Sequence, residues 1–70
     1  MGRYFAGRIK HARLKAGLSQ GEMARHVGLV QPHISRLESG RQNATEKTLE
    51  KIARGLGISM AELCSELTPD

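Results

Sequence analysis

Residues 20–39 read Gln20-Gly21-Glu22-Met23-Ala24-Arg25-His26-Val27-Gly28-Leu29-Val30-Gln31-Pro32-His33-Ile34-Ser35-Arg36-Leu37-Glu38-Ser39, and two helical stripes stand out in them. Met23, Ala24 and Val27 share one face of a first helix, expected over 20–27. Ile34 and Leu37 share one face of a second, expected over 32–39. Gly28-Leu29-Val30 breaks the chain between them, with Gln31 at the boundary. Pro32 fits the first turn of the second helix, where a missing N–H leaves no bond unmade. On a helical wheel Glu38 falls beside Ile34 and Leu37. Pro32, Arg36 and Ser39 point the other way, flanked by His33 and Ser35. The second helix therefore buries one face and offers hydrogen-bonding groups and a guanidinium on the other.

Two helices of about eight residues joined by a turn of three or four residues containing glycine form a helix-turn-helix. Many small bundles have such corners. The polar outer face of the second helix is the added requirement for a helix that enters a major groove, where arginine reads guanine and glutamine reads adenine.

Moving outward, Gly17-Leu18-Ser19 and Gly57-Ile58-Ser59 repeat one pattern. A glycine closes a helix in the left-handed conformation, an apolar residue turns inward, and a serine caps the next helix. Glu22 and Glu62 stand three residues after those serines, which predicts a capping box at both helix starts. Thr45 is expected to cap a further helix, with Glu46 against its positive end. Phe5, Ile9, Ala12 and Ala16 mark a helix over 4–16. Leu49, Ile52, Ala53 and Leu56 mark one over 46–55, and Met60, Leu63, Cys64 and Leu67 one over 60–67. No strand-like alternation is sustained. The reading is an all-α fold of five short helices in one domain spanning residues 1–70. Gly21 and Gly55 lie inside helices, at a cost of about 0.5–1 kcal/mol each relative to alanine.

Composition narrows the function. The chain has 70 residues and a net charge of +4. A chain of this size has a thin margin of stability, which a partner subunit can relieve. The charge is divided, with a net of +6 over residues 1–41 and −2 over residues 42–70. The part that holds the two central helices is thus the anion-facing part. Tyr4 and Phe5 are the only aromatic residues, which argues against a stacking platform for single strands. The basic residues lack an apolar insertion face beside them, which argues against a membrane surface. Neither a signal peptide nor a membrane span is expected, and the lone thiol of Cys64 suits a reducing, cytoplasmic setting. His11, His26 and His33 show no metal-ligand spacing, and nothing arranges a nucleophile, a base and an orienting group. Neither cofactor nor enzymatic activity is expected.

Gly17-Leu18-Ser19-Gln20, Ala24, Gly28-Leu29, Ile34-Ser35-Arg36-Leu37-Glu38-Ser39-Gly40-Arg41, Thr48-Leu49, Lys51-Ile52-Ala53 and Leu56-Gly57-Ile58 occur in an ordered combination. In this combination the chain resembles the helix-turn-helix family of Cro and the phage repressors, often called the XRE family. Among its members it resembles the small controller proteins of restriction–modification systems, with a small phage regulator or an antitoxin-type autoregulator as the alternatives. The resemblance covers about residues 5–67. It implies a five-helix domain resembling that of lambda repressor, which binds double-stranded DNA as a homodimer at a palindromic operator, with the third helix in the major groove.

Carried over by position, the resemblance implies that Gln20 bonds a phosphate and buttresses the third helix. It implies that Gln31, His33 and Arg36 face the groove, with Ser35 beside them, and that Arg41 and Asn43 contact the DNA backbone. Apart from the resemblance, Lys10 and Lys47 are expected to be solvated, with phosphate contact the lesser reading. Arg13 and Glu38 match a structural ion pair between the first and third helices. Val30 departs from the pattern, standing where relatives have a capping Ser or Thr, so Gln31 is also expected to cap the third helix. Ala44 replaces a common proline. Ile58, Met60, Leu63, Cys64 and Leu67 form an apolar stripe, part of it expected to cover the core and the rest to form the dimer seam. RNA polymerase is a further partner expected of such a regulator. The competing expectation is a protein-interaction module of the same fold, such as an antitoxin that grips a partner protein and autoregulates.

Overall fold

The structure, a computed structural model, describes the backbone of residues 2–65 and the side chains of residues 6–64. Its helices are α1 (Gly2–Lys15), α2 (Gln20–Val27), α3 (Gln31–Ser39), α4 (Glu46–Leu56) and α5 (Met60–Ser65). The described residues contain no strand, so the chain is all-α as the periodicity predicts. The expected ends differ by a residue or two. Thus α1 starts at Gly2 and stops at Lys15, α3 starts at Gln31 and α4 runs on to Leu56. The expected end of the last helix, at residue 67, lies outside the described residues.

The punctuation explains these ends. Gly17 and Gly57 have φ of +75° and +72°, a region open to glycine and strained for other residues. Leu18 and Ile58 follow them and pack against the core. Ser19 Oγ accepts from the Glu22 N–H at 3.1 Å, and the Glu22 carboxylate accepts from the Ser19 N–H at 2.8 Å. This capping box is closed in both directions. At α5 only half of the expected box forms among the described residues, with Ser59 Oγ accepting from the Glu62 N–H at 2.9 Å. Thr45 caps α4, its Oγ1 accepting from the Thr48 N–H at 3.1 Å.

The core draws on every helix: Ala6 and Ile9, then Met23, Ala24 and Val27, then Ile34 and Leu37, then Leu49, Ile52 and Ala53, and finally Leu63. Burying a side chain of the size of Ile9, Met23, Ile34, Leu37 or Ile52 contributes about 1.5–3 kcal/mol. The stripe expected on α1 is corrected in part. Ala16 is exposed, because the helix has already ended, and the Phe5 side chain lies outside the described residues. Arg13 turns inward at the next position of the buried face and is 9% exposed.

Helices α1 and α3 pack together, as do α2 and α4, while α5 lies against α1 and α4. The α2–α4 contact is close enough to require a glycine. A methyl group on Gly55 would stand 2.6 Å from Val27 Cγ1, 2.7 Å from Val27 Cα and 2.8 Å from the His26 carbonyl oxygen. The helix propensity lost at Gly55 is therefore exchanged for close approach of two backbones. The effect for function is to fix α2 on a rigid base and leave the outer face of α3 open.

Candidate nucleic-acid interface

Helix α2 ends at Gly28, Leu29 packs inward, and Val30 takes the cap position of α3 with extended backbone. Val30 supplies no side-chain capping bond and is 64% exposed. The capping expected of Gln31 does not occur. Gln31 is already the first helical residue, and its Oε1 leans toward α2, 3.5 Å from where a Cβ on Gly21 would sit. Its exposed side chain thus spans the mouth of the turn.

Ile34 and Leu37 seat α3 on the core. Gln31, Pro32, Ser35, Arg36 and Ser39 are exposed and His33 is half-buried, so the outward face has the polar character that the wheel predicts. The orientation of α3 is set from below. Arg13 Nε donates to Glu38 Oε2 at 2.7 Å and Arg13 Nη2 donates to Glu38 Oε1 at 3.1 Å. Arg13 Nη1 donates to the Leu18 carbonyl at 2.9 Å, and Gln20 Nε2 donates to Glu38 Oε1 at 3.2 Å. One carboxylate on α3 is therefore held from α1 and from the first residue of α2. The Glu38 side chain is only 4% exposed, so this paired geometry offsets a large desolvation cost.

Around that pair lies a shallow polar depression lined by Lys10, Gln20, Ser35 and Ser39. An ammonium, an amide and hydroxyl groups gathered there are suited to phosphate oxygens. The structure thus brings Lys10, Gln20 and Ser35 to one place, at one edge of α3.

At the C-terminal end of α3 the chain folds back on itself. The backbone N–H groups of Arg41 and Gln42 both donate to the Arg36 carbonyl, at 3.0 and 3.3 Å. This curl carries Gln42 beside the outer face of α3. Arg36 Nε donates to Gln42 Oε1 at 3.1 Å, and Gln42 Nε2 lies 3.2 Å from His33 Nε2. Gln42 joins the Arg36 and His33 side chains and is not among the residues the sequence singles out. The signal available in the sequence was an amide two residues past the glycine that closes α3, within reach of its last turn. Arg41 and Asn43 are exposed in the same loop. Lys47 stands apart on α4 and is exposed as well.

On α5, which packs against α1 and α4, the apolar stripe is divided. Leu63 is 2% exposed and its side chain is occupied by the core of its own chain. Ile58, Met60 and Cys64 are half-buried at the core's edge, and Leu67 lies outside the described residues. A groove beside Ile58 is floored by Ala12, Ala16 and Leu56. The closing of the capping box leaves one electrostatic mark. The Ser19 N–H, and then its hydroxyl, hold the Glu22 carboxyl below its usual range.

Among the described residues no group of His, Cys, Asp or Glu side chains could hold a metal ion, and no helix is long and apolar enough to cross a membrane.

The arrangement has close counterparts. Residues 9–63 match the model of a helix-turn-helix family. The control protein C.MunI of Mycoplasma sp is 38% identical over 64 residues, covering 90% of this chain and 86% of that protein. The crystal structure of the hypothetical transcription factor NHTF from Neisseria superposes with a TM-score of 0.84 at 32% identity, covering 99% of this chain and 77% of that one. The restriction-modification controller protein C.AhdI from Aeromonas hydrophila superposes with a TM-score of 0.82 at 31% identity, covering 89% of this chain and 94% of that one. The chain belongs to the helix-turn-helix family of DNA-binding transcriptional regulators.

Proposed function

We propose that the chain is a controller-type regulator that binds a palindromic DNA site as a homodimer, with α3 in the major groove. The observation that carries the reading is the division of α3: Ile34 and Leu37 are buried while Gln31, Ser35 and Arg36 stand exposed beside His33. In this reading Arg36 and Gln31 contact base edges, with His33 at the groove wall. Lys10, Gln20 and Ser35 take a phosphate at one edge, and Arg41 and Asn43 take the backbone at the other. The similarity to C.MunI and C.AhdI supports the regulatory role. The protein acts by occupying a promoter, where it excludes or recruits RNA polymerase.

The dimer seam is assigned to Ile58, Met60 and Cys64, the apolar residues at this end that the chain's own core leaves half-exposed. A two-fold pair then sets two α3 helices about 34–36 Å apart, one turn of DNA.

The test is selection of bound sequences from a random duplex pool, followed by titration across a salt series. The recovered site is expected to be an inverted repeat, and affinity is expected to fall steeply with salt through counterion release. A pool that yields no shared sequence, with weak binding insensitive to salt, overturns the reading.

A further inference from the structure

We propose that Gln42 is a positioning residue for DNA reading, a clamp that fixes Arg36 and His33 before DNA arrives. The inference rests on the reading of α3 given above and deepens it. Arginine can only donate hydrogen bonds, so the atom of Gln42 that faces Arg36 Nε at 3.1 Å is the carbonyl oxygen. That settles the orientation of the amide. Its NH₂ group must then face His33 Nε2, at 3.2 Å, and can only donate to it. His33 is therefore held as the Nδ1–H tautomer, with Nε2 as acceptor. The loop keeps the clamp in register, because the Gln42 N–H itself donates to the Arg36 carbonyl at 3.3 Å.

The clamp leaves the useful part of Arg36 open. Its Nε is occupied by Gln42, while the Nη1 and Nη2 edge makes no hydrogen bond among the described residues. That edge has two parallel donors, the pattern that meets guanine O6 and N7. An unheld arginine loses rotamer freedom on binding; a clamped one has lost it already. Gln42 therefore contributes to discrimination without itself touching a base. It acts on the specific complex, where Arg36 must hold one geometry. It has little effect on loose backbone association, where Arg36 needs none.

The experiment uses the full chain, with two probes: the duplex recovered by selection and a random-sequence duplex of equal length. Gln42→Ala and Gln42→Met are compared, the second keeping length without hydrogen bonding. Both lie in an exposed loop, and equal melting temperatures establish that both fold. Each is expected to weaken the selected duplex roughly 3- to 10-fold and to leave the random duplex unchanged. The loss should disappear in an Arg36→Ala background. In the free protein, nitrogen chemical shifts of the His33 ring should change from the Nδ1–H pattern to the Nε2–H pattern in both variants. Equal losses on both duplexes, a loss undiminished in the Arg36→Ala background, or a His33 ring unaltered by either variant overturns the clamp. If Arg36→Ala leaves every base preference intact, the base-reading role of Arg36 falls and the clamp's function with it. Failure of the Gln42 variants alone leaves Arg36 as a reader.

Discussion

Arg13 and Glu38, 25 residues apart, are joined by two parallel hydrogen bonds of 2.7 and 3.1 Å that lock α3 to α1 beneath the polar outer face of α3. The fork of a guanidinium matches the two oxygens of a carboxylate, and a lysine cannot reproduce that match. Either partner alone would be a buried charge without a counter-charge, left with the Leu18 carbonyl or the Gln20 amide as its neutral partner. Glu38→Ala and Arg13→Ala are each expected to destabilise the fold by about 3–5 kcal/mol. Arg13→Lys should recover only part of the loss. Urea unfolding with a double-mutant cycle checks this, and losses that simply add in the double variant would show that the two groups act independently.

Two of the helical glycines, Gly55 and Gly21, should respond to alanine in opposite directions. At Gly55 a methyl group meets backbone atoms of α2 at 2.7 and 2.8 Å. Gly55→Ala should therefore cost about 1–3 kcal/mol through overpacking. At Gly21 the nearest atom is the flexible end of Gln31, at 3.5 Å. Gly21→Ala should raise stability by about 0.5–1 kcal/mol at most, as helix propensity is regained. Thermal melts of the two single variants settle the signs.

Val30 holds a cap position that it cannot fill. Replacing it by serine supplies a side-chain oxygen for the His33 N–H, which otherwise donates to the Val30 carbonyl at 3.0 Å, and removes an exposed apolar side chain. Val30→Ser is expected to stabilise the chain by about 1 kcal/mol, read as a higher urea midpoint at an unchanged slope. A lower midpoint would show that Val30 packs against the turn in a way that its exposure conceals.

The capping box carries a pH dependence of known sign. Because the folded state lowers the Glu22 pKa, its ionised carboxylate favours folding. That contribution is present above the ordinary value of 4.5 and is lost as pH falls through the lower folded value. Glu22→Gln can still close the box but has no charge to lose. The stability difference between wild type and Glu22→Gln should hold near neutral pH and narrow on acidification. A difference independent of pH would contradict the assignment.

Much of this architecture was legible in the sequence because it rests on local rules. Gly17, Ser19 and Glu22 specify a helix end and a helix start through bonds within a few residues of one another. The same holds for Thr45 and for the inward stripes of α2 and α4. What escaped depends on tertiary placement. Gly55 looks like a poor helix residue until α2 is laid against it. Ala16 fits the α1 stripe but falls beyond the helix end. Gln42 is one more polar loop residue until the turn after Gly40 folds back on Arg36. Gln31 looked like a capping residue because its neighbour Val30 lacked an oxygen, yet the backbone placed Val30 itself at the cap.

The central claim is that the outer face of α3 distinguishes DNA sequences, and Arg36 tests it most directly. Binding of wild type, Arg36→Ala and Arg41→Ala should be measured on the selected duplex, on its single-base variants and on a random duplex, at one salt concentration. The account predicts that Arg36→Ala weakens the selected site by about 1–3 kcal/mol and relaxes preference at one base pair of each half-site. It predicts that Arg41→Ala weakens all duplexes alike, as loss of a phosphate contact does. Equal losses for Arg36→Ala on selected and random DNA, with every base preference retained, would contradict it.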